Sequence, residues 1–189
     1  MTIAAGRLTL HFVRHGETAG NAERRFQTPD APLSDNGRAQ AAAVAETLAA
    51  STRPTLVLAS DYARALETAA IIASRLALPV VPETALRERN FGVARGRLYA
   101  EFDTPTMALW REWDHRIEGG ESWADVHDRL APFLARLAAS PAARELLLVT
   151  HGGAMNVALH HLAGGAPGSF ALTPLENCAL RTVELQAGA

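Results

Sequence analysis

Residues 8–13, LTLHFV, form a short β-prone run that is followed at once by Arg14, His15 and Gly16. The run predicts a first strand, and the His-Gly pair after it favours a turn into a loop. This loop, residues 14–35, is long and polar, whereas loops longer than about 12 to 15 residues are uncommon in compact domains unless they serve a function. The stretch therefore predicts the first strand of a sheet and a candidate site at its carboxyl end.

Beyond this strand, short apolar runs alternate with segments of helical periodicity. The apolar runs predict strands at residues 56–59, 79–81, 145–149 and 178–185. Helices are predicted after a cap at Ser34 or Asp35, after a cap at Ser60 or Asp61, and over residues 99–116, 122–139 and 154–162. Because strands and helices alternate, we expect an α/β fold, a three-layer α/β/α sandwich with a mainly parallel sheet.

The composition limits which architectures and which classes of ligand are possible. A chain of 189 residues with 48% apolar residues suits one domain, 1–189, in which the charged stretch around 85–120 forms a lid or insert region. The 18 Lys and Arg residues against 20 Asp and Glu residues give a net charge of -2. No overall field therefore favours a nucleic acid or a membrane surface, and an anionic ligand must be bound by a local cluster of charges.

Cysteine usage and hydropathy favour a cytoplasmic location. Cys178 is the single cysteine, which excludes an internal disulfide. No run of about 20 apolar residues could cross a bilayer, and residues 1–10 lack the long apolar stretch of a signal peptide. We therefore expect a cytoplasmic protein, and assembly into a homodimer is left open.

Polar residues follow three of the predicted strands: Arg14 and His15 the first, residues 60–64 the second, and Thr150 and His151 a later one. The carboxyl ends of strands in an open α/β sheet form the ligand crevice, so we expect these residues to converge. Arg64 would lie in the first turn of its helix, where side chains lean towards the helix N-terminus and the crevice. Gly152 follows His151 at the start of a helix, where backbone N–H groups favour an anion.

Two arginines and two histidines around a helix N-terminus describe a pocket for a dianion such as phosphate. The planar guanidinium of arginine binds phosphoryl oxygens bidentately, and a neutral imidazole is a competent nucleophile towards phosphorus. The arginines can hold the charge of the transferring group, so we expect neither a metal ion nor another cofactor. Adjacent His160 and His161 point about 100° apart on a helix, and no HxxxH or HExxH spacing suggests a zinc site.

Five segments, in order along the chain, resemble the histidine phosphatase superfamily, which includes the cofactor-dependent phosphoglycerate mutases. They are LHFVRHGETAGN from Leu10, SDYARALETA from Ser60, LRERNFG from Leu86, GGESWADVHDRL from Gly119 and VTHGGAMN from Val149. The resemblance implies a phosphoglycerate mutase-like fold in a single histidine phosphatase domain. It also implies phosphoryl transfer through a phosphohistidine.

The resemblance also implies roles for residues of this chain. The nucleophile would be His15, and the phosphoryl group would be held by Arg14, Arg64 and His151, with Asn21 and Gln27 as further contacts. Glu88 would be the general acid that protonates the leaving oxygen and then the base that activates water. From its charged surroundings alone, Glu88 could instead form a salt bridge with Arg87 or Arg89.

Departures from the mutase pattern favour hydrolysis of a small-molecule phosphomonoester. The mutases resembled carry an arginine pair that holds the substrate carboxylate, and residues 97–116 contain no adjacent pair. A mutase must retain its dephosphorylated intermediate and exclude water, so the loss of this clamp favours a phosphatase. Gly153, where the mutases usually carry Asn, favours the same conclusion. A mutase, and a non-catalytic module that binds a phosphorylated ligand, remain the alternatives.

Two features have no assigned role. Arg95 stands where the family often carries Glu, and it could either bind a carboxylated or multiply phosphorylated substrate or lie in solvent. Trp110, Trp113 and Trp123 could wall a substrate pocket or pack the helices of the lid, and we favour packing.

Overall fold

In the computed structural model, which describes residues 7–139 and 145–186, five strands form one sheet. They are β1 (Arg7–Arg14), β2 (Leu56–Ala59), β3 (Val80–Pro82), β4 (Glu145–Thr150) and β5 (Leu180–Gln186), in the order β3-β2-β4-β1-β5. The pairs β3-β2, β2-β4 and β4-β1 are parallel, and β5 runs antiparallel to β1. The prediction of a mainly parallel sheet is therefore confirmed.

Helices cover both faces of this sheet. They are α1 (Ala19–Ala22), α2 (Asp35–Ser51), α3 (Ala63–Leu76), α4 (Thr104–Leu109), α5 (Trp123–Ala139) and α6 (Gly152–Leu162). On one face, α2 and α3 pack in a cluster that contains Leu48, Ile72 and the β1 residue Val13. On the other face, α5 and α6 pack in a cluster that contains Leu130 and the β1 residue Phe12. Successive residues of β1 thus point to opposite layers, and the three-layer sandwich is confirmed.

The predicted cap of α3 at Ser60 or Asp61 is wrong. The helix follows Tyr62, and no side chain caps its N-terminus. Ser60 instead has its Oγ 2.8 Å from Nε2 of His151, and Asp61 forms an ion pair with Arg87. The hydroxyl of Ser60, which could have capped the helix N-terminus, therefore contacts His151 in the crevice instead.

The helix predicted over residues 99–116 is wrong for half of its length. Only α4 and a 3-10 turn at Tyr99–Glu101 are helical there. After α4, the carbonyl of Trp110 accepts hydrogen bonds from the guanidinium of Arg89 and the indole N–H of Trp123. Because these partners draw the chain inwards, it leaves the helix at this point.

Candidate active site

The carboxyl ends of β2, β4 and β1 lie side by side, and the polar residues that follow them meet as expected. The N–H of His15 donates to the carbonyl of Thr150 at 2.9 Å, and the N–H of Ser60 donates to that of Val149 at 2.9 Å. The backbone ladder therefore continues past the ends of the strands. This holds the rings of His15 and His151 edge to face, with their centroids 5.1 Å apart.

The hydrogen bonds of His15 fix its tautomer. Its Nδ1 lies 2.7 Å from the carbonyl oxygen of Gly16, which can only accept, so Nδ1 carries the proton. The Nε–H of Arg64 donates to His15 Nε2 at 3.2 Å, which requires a lone pair on Nε2. Burial, and then the positive charges of Arg64 and Arg14, hold the pKa of His15 well below its usual 6.5. The ring is therefore neutral at pH 7 with its lone pair on Nε2.

Buried Arg64 and half-buried Arg14 flank this imidazole. Arg64 is 2% exposed, and its Nη1 donates to the carbonyl of Thr28 at 3.0 Å. Burial lowers the pKa of Arg64 to about 10, which still leaves the guanidinium protonated by a factor of about 10³ at pH 7. Arg14 donates from Nη1 to the carbonyl of Leu175, while its buried Nε has no partner in the described chain. Buried positive charge without a carboxylate partner favours an anionic ligand.

His151 is fully buried and contacts the site through His15. Its Nε2 lies 2.8 Å from Ser60 Oγ, which also accepts a hydrogen bond from the N–H of Tyr62. Because a hydroxyl can both donate and accept, Ser60 can pair with either tautomer of His151. Burial first, and then the charge of Arg64, hold the pKa of His151 well below its usual value. Its Nδ1 has no partner among the described residues.

The carboxylate of Glu88 lies at the N-terminus of α6. It accepts hydrogen bonds from the N–H groups of Gly153 and Ala154, both at 3.0 Å, and from that of Arg89 at 2.9 Å. This is the helix end where the sequence predicted an anion, and the protein supplies one from its own chain. Gly152, the preceding residue, lines the cavity.

Neither neighbour of Glu88 forms a salt bridge with it. Arg87 pairs with Asp61. Arg89 is 1% exposed, and its guanidinium donates to the backbone carbonyls of Trp110, His115 and Glu121. All the hydrogen bonds that the carboxylate of Glu88 accepts from described residues therefore come from backbone N–H groups.

Asn21 and Gln27 reach the cavity from the loop after β1. Oδ1 of Asn21 accepts from the N–H of Thr18 and from Nδ2 of Asn177, both at 3.2 Å. The hydroxyl of Thr18 lies 2.7 Å from Oε1 of Gln27. Asn177 also donates to the carbonyl of His15 at 3.1 Å. The structure thus brings both predicted phosphate contacts to the same loop cluster as His15.

These side chains line a cavity of about 510 Å³. Of the described residues that line it, six are arginines, and Glu88 is the one that carries a carboxylate. The arginines are Arg14, Arg25, Arg64, Arg89, Arg95 and Arg111. Trp110 and Trp123 also line it although they are only 9% and 2% exposed, so they both pack and form cavity wall. Trp113 packs against Phe170, with ring centroids 5.1 Å apart. The charge of the cavity suits an anionic ligand.

Sequence reasoning missed three residues that shape the site. The ring of Tyr62 lies edge to face against His151, with centroids 5.3 Å apart, and 5.4 Å from the guanidinium carbon of Arg64. Arg89 and Asn177 are the other two, through the hydrogen bonds given above. Tyr62 and Arg89 lie inside segments already singled out, whereas nothing in the sequence around Asn177 indicates its role.

Residues 7–139 and 145–186 contain neither a cluster of metal ligands nor a membrane-spanning helix. In those residues, no group of three or more His, Cys, Asp or Glu side chains is placed to hold a metal ion. No helix there is long and apolar enough to span a membrane. Chemistry without a metal stays a prediction.

Comparison with known proteins agrees with this fold. The family model of the histidine phosphatase superfamily, branch 1, matches residues 10–189, and the chain belongs to this superfamily. A probable phosphoglycerate mutase of Yersinia enterocolitica is 37% identical over 186 residues, which cover 95% of this chain and 86% of the relative. A glucosyl-3-phosphoglycerate phosphatase of Mycolicibacterium vanbaalenii is 41% identical over 157 residues, 76% of this chain and 69% of the relative.

A solved structure of a mycobacterial glucosyl-3-phosphoglycerate phosphatase in complex with VO3 superposes with a TM-score of 0.86. It is 33% identical, and the match covers 93% of this chain and 92% of that one. These findings confirm the predicted superfamily, the predicted fold class and the prediction of a phosphatase-type enzyme.

Proposed function

We propose that the protein hydrolyses a phosphomonoester of a small metabolite through a phosphohistidine at His15. The observation that carries this proposal is the neutral His15 ring, whose Nε2 lone pair is held at the cavity by the Nε–H of Arg64 at 3.2 Å. A neutral imidazole with a defined lone pair can attack phosphorus, whereas a protonated ring cannot.

In the first step, Nε2 of His15 attacks phosphorus, the N–P bond forms and the bond to the ester oxygen breaks. The positive charge that develops on the ring is stabilised by the carbonyl of Gly16, which accepts from Nδ1 at 2.7 Å. Arg14 and Arg64 would bind the phosphoryl oxygens, with His151 as a further donor. Nε of Arg14 and Nδ1 of His151 have no hydrogen-bond partner among the described residues. The phosphoryl group would then be a partner for both.

Glu88 is placed to serve first the leaving group and then the water. In its protonated form, the carboxyl would give its proton to the leaving oxygen in the first step and so become a carboxylate. In the second step it would accept a proton from the water that attacks phosphorus, the N–P bond would break, and inorganic phosphate would leave. The N–H groups of Gly153 and Ala154 fix the position of this carboxyl, and Asn21 and Gln27 would complete the phosphate contacts.

Phosphoglycerate mutase activity is the second candidate, and the name of the Yersinia relative favours it. The segment 97–116, in which the mutases resembled hold an arginine pair, contributes Arg111 to the cavity. Arg116 pairs instead with Asp125. Because a mutase without this clamp loses its dephosphorylated intermediate to solvent, hydrolysis remains the stronger proposal.

One experiment separates these functions. Purified protein is incubated in EDTA with 3-phosphoglycerate and a bisphosphoglycerate primer, and in parallel with a panel of phosphomonoesters. We expect steady release of inorganic phosphate from suitable monoesters, negligible 2-phosphoglycerate and no loss of activity on chelation. Efficient isomerisation would identify a mutase, and saturable phosphate binding without turnover would identify a binding module. A loss of activity that a stoichiometric metal restores would overturn the metal-independent scheme.

We also propose a cytoplasmic location. The support is that Cys178 is the single cysteine, so the chain has no internal disulfide of the kind that oxidising compartments favour. Subcellular fractionation against marker enzymes tests this, and recovery with an extracytoplasmic marker would contradict it.

A further inference from the structure

The cavity holds more positive charge than one phosphate group requires. A phosphate monoester carries about two negative charges at pH 7, which Arg14 and Arg64 would balance in the proposed function. Arg89 is occupied by backbone carbonyls. Three further arginines line the same cavity, namely Arg25, Arg95 and Arg111. Their charges have no counterpart in a substrate that carries phosphate alone.

Arg95 is anchored beside the phosphoryl pocket. Its Nη2 donates to the hydroxyl of Tyr62 at 2.9 Å, and the Tyr62 ring lies 5.4 Å from the guanidinium carbon of Arg64. Burial is the main reason why the pKa of Arg64 falls to about 10, and the positive charge of Arg95 adds to that fall. Arg95 is therefore close enough to the phosphoryl pocket for its charge to be felt there.

Neither Arg95 nor Arg111 forms an ion pair within the described part of the chain. Arg25 differs, because it pairs with Glu23 at 3.0 Å and donates to the carbonyl of Gly96 at 2.6 Å. That second contact ties Arg25 to the backbone directly after Arg95. The unpaired positive charge thus lies on Arg95 and Arg111.

We propose that the site takes phosphomonoesters that carry a second anionic group, which Arg95 binds while Tyr62 holds its guanidinium in place. The proposal rests on the proposed function, because that function places the phosphate at His15. A carboxylate or a second phosphate would give Arg95 a charge-assisted partner of matching planar geometry. A cavity of about 510 Å³ has room for such a group beside the first phosphate.

The test uses non-hydrolysable ligands, so that binding is measured apart from turnover. Phosphono-carboxylic acids with two to five carbons are titrated calorimetrically into the protein, each beside its neutral primary amide and the α,ω-bisphosphonate of equal length. The variants are Arg95→Gln, Arg95→Lys and, as a matched control, Arg75→Gln on the far end of α3, where Arg75 pairs with Glu46 on the surface. Melting temperatures check that each variant is folded.

We expect the acid to bind at least about tenfold more tightly than its amide at one or more lengths, as one charge-assisted contact implies. The ratio should fall below about threefold in Arg95→Gln, persist in Arg75→Gln, and persist in part in Arg95→Lys. The tighter of acid and bisphosphonate identifies the second group. Equal affinities of acid and amide at every length, or a ratio that survives Arg95→Gln, would overturn the proposal.

Hydrolysis of phenyl phosphate, which has one anionic group, keeps this test distinct from the test of the proposed function. Turnover of phenyl phosphate with equal affinities of acid and amide would refute the Arg95 subsite and leave the hydrolase intact. A preserved ratio without turnover of any monoester would support the subsite and refute the hydrolase.

Discussion

Gly153 lies so close to Glu88 that a Cβ at this glycine would be 2.5 Å from Oε1 of the carboxylate. The same Cβ would be 2.6 Å from the indole of Trp123. This close approach lets the N–H of Gly153 donate to Glu88 at 3.0 Å. Any side chain at this position must therefore displace both the carboxylate and the indole.

Gly153→Ala should lower kcat for an alkyl phosphate by about 10- to 100-fold, because misplacing a catalytic group by about 1 Å can cost a factor near 10². Steady-state kinetics measure the change, and a melting curve separates it from unfolding. Gly168→Ala is the matched control, since a Cβ there meets no atom of the described residues within 4 Å. An unchanged kcat in Gly153→Ala would show that the position of Glu88 does not limit the reaction.

Glu88→Gln should slow alkyl phosphates far more than aryl phosphates, because a phenolate leaves with little help from an acid. A general acid contributes about 10² to 10⁴ in rate, or roughly 3 to 5 kcal/mol, and this loss should shrink as the pKa of the leaving group falls. The measurement is kcat/KM across a series of leaving groups.

Glu101→Gln serves as its control, because Glu101 pairs with Arg97 on the surface. Equal losses for alkyl and aryl esters in Glu88→Gln would remove the acid role from Glu88. A steep dependence on the leaving group in Glu101→Gln would assign that role to Glu101.

His15 and His151 should make the free energy of unfolding fall in mild acid. Burial lowers the pKa of both His15 and His151 well below 6.5, so below that pH the unfolded chain binds protons that the folded chain does not. Between pH 7.5 and 5.5 each should cost on the order of 1 kcal/mol of stability. Urea unfolding at both pH values measures this, and His15→Asn should show about half the effect of the pair. Equal stability at the two pH values would contradict neutral buried rings.

The convergence of the site could be predicted from the sequence because it depends on topology. Arg14 ends β1, and Ser60 and His151 directly follow β2 and β4; parallel strands bring such positions to one edge. The cap of α2 was equally local: the side chain of Ser34 accepts from the N–H of Gly37. Patterns of this kind are set within a few residues and survive folding.

Contacts between distant segments could not be predicted in this way. Local preference favours Ser60 as a helix cap, but in the folded chain its hydroxyl contacts His151 instead. The hydrogen bond from Arg89 to the Trp110 carbonyl ends a helix that the sequence predicted to continue. The closeness of Gly153 to Glu88 depends on a loop 65 residues away in sequence. Each outcome depends on a partner that only the folded chain brings near.

The most direct measurement is the trapping of the covalent intermediate. The protein is mixed with a ³²P-labelled substrate, quenched in alkali within the first turnover, and digested for identification of the labelled peptide. We predict an acid-labile, alkali-stable label on His15 that is absent from His15→Ala and reduced in Arg64→Gln. Label that persists in His15→Ala, or turnover by that variant at the wild-type rate, would contradict the account.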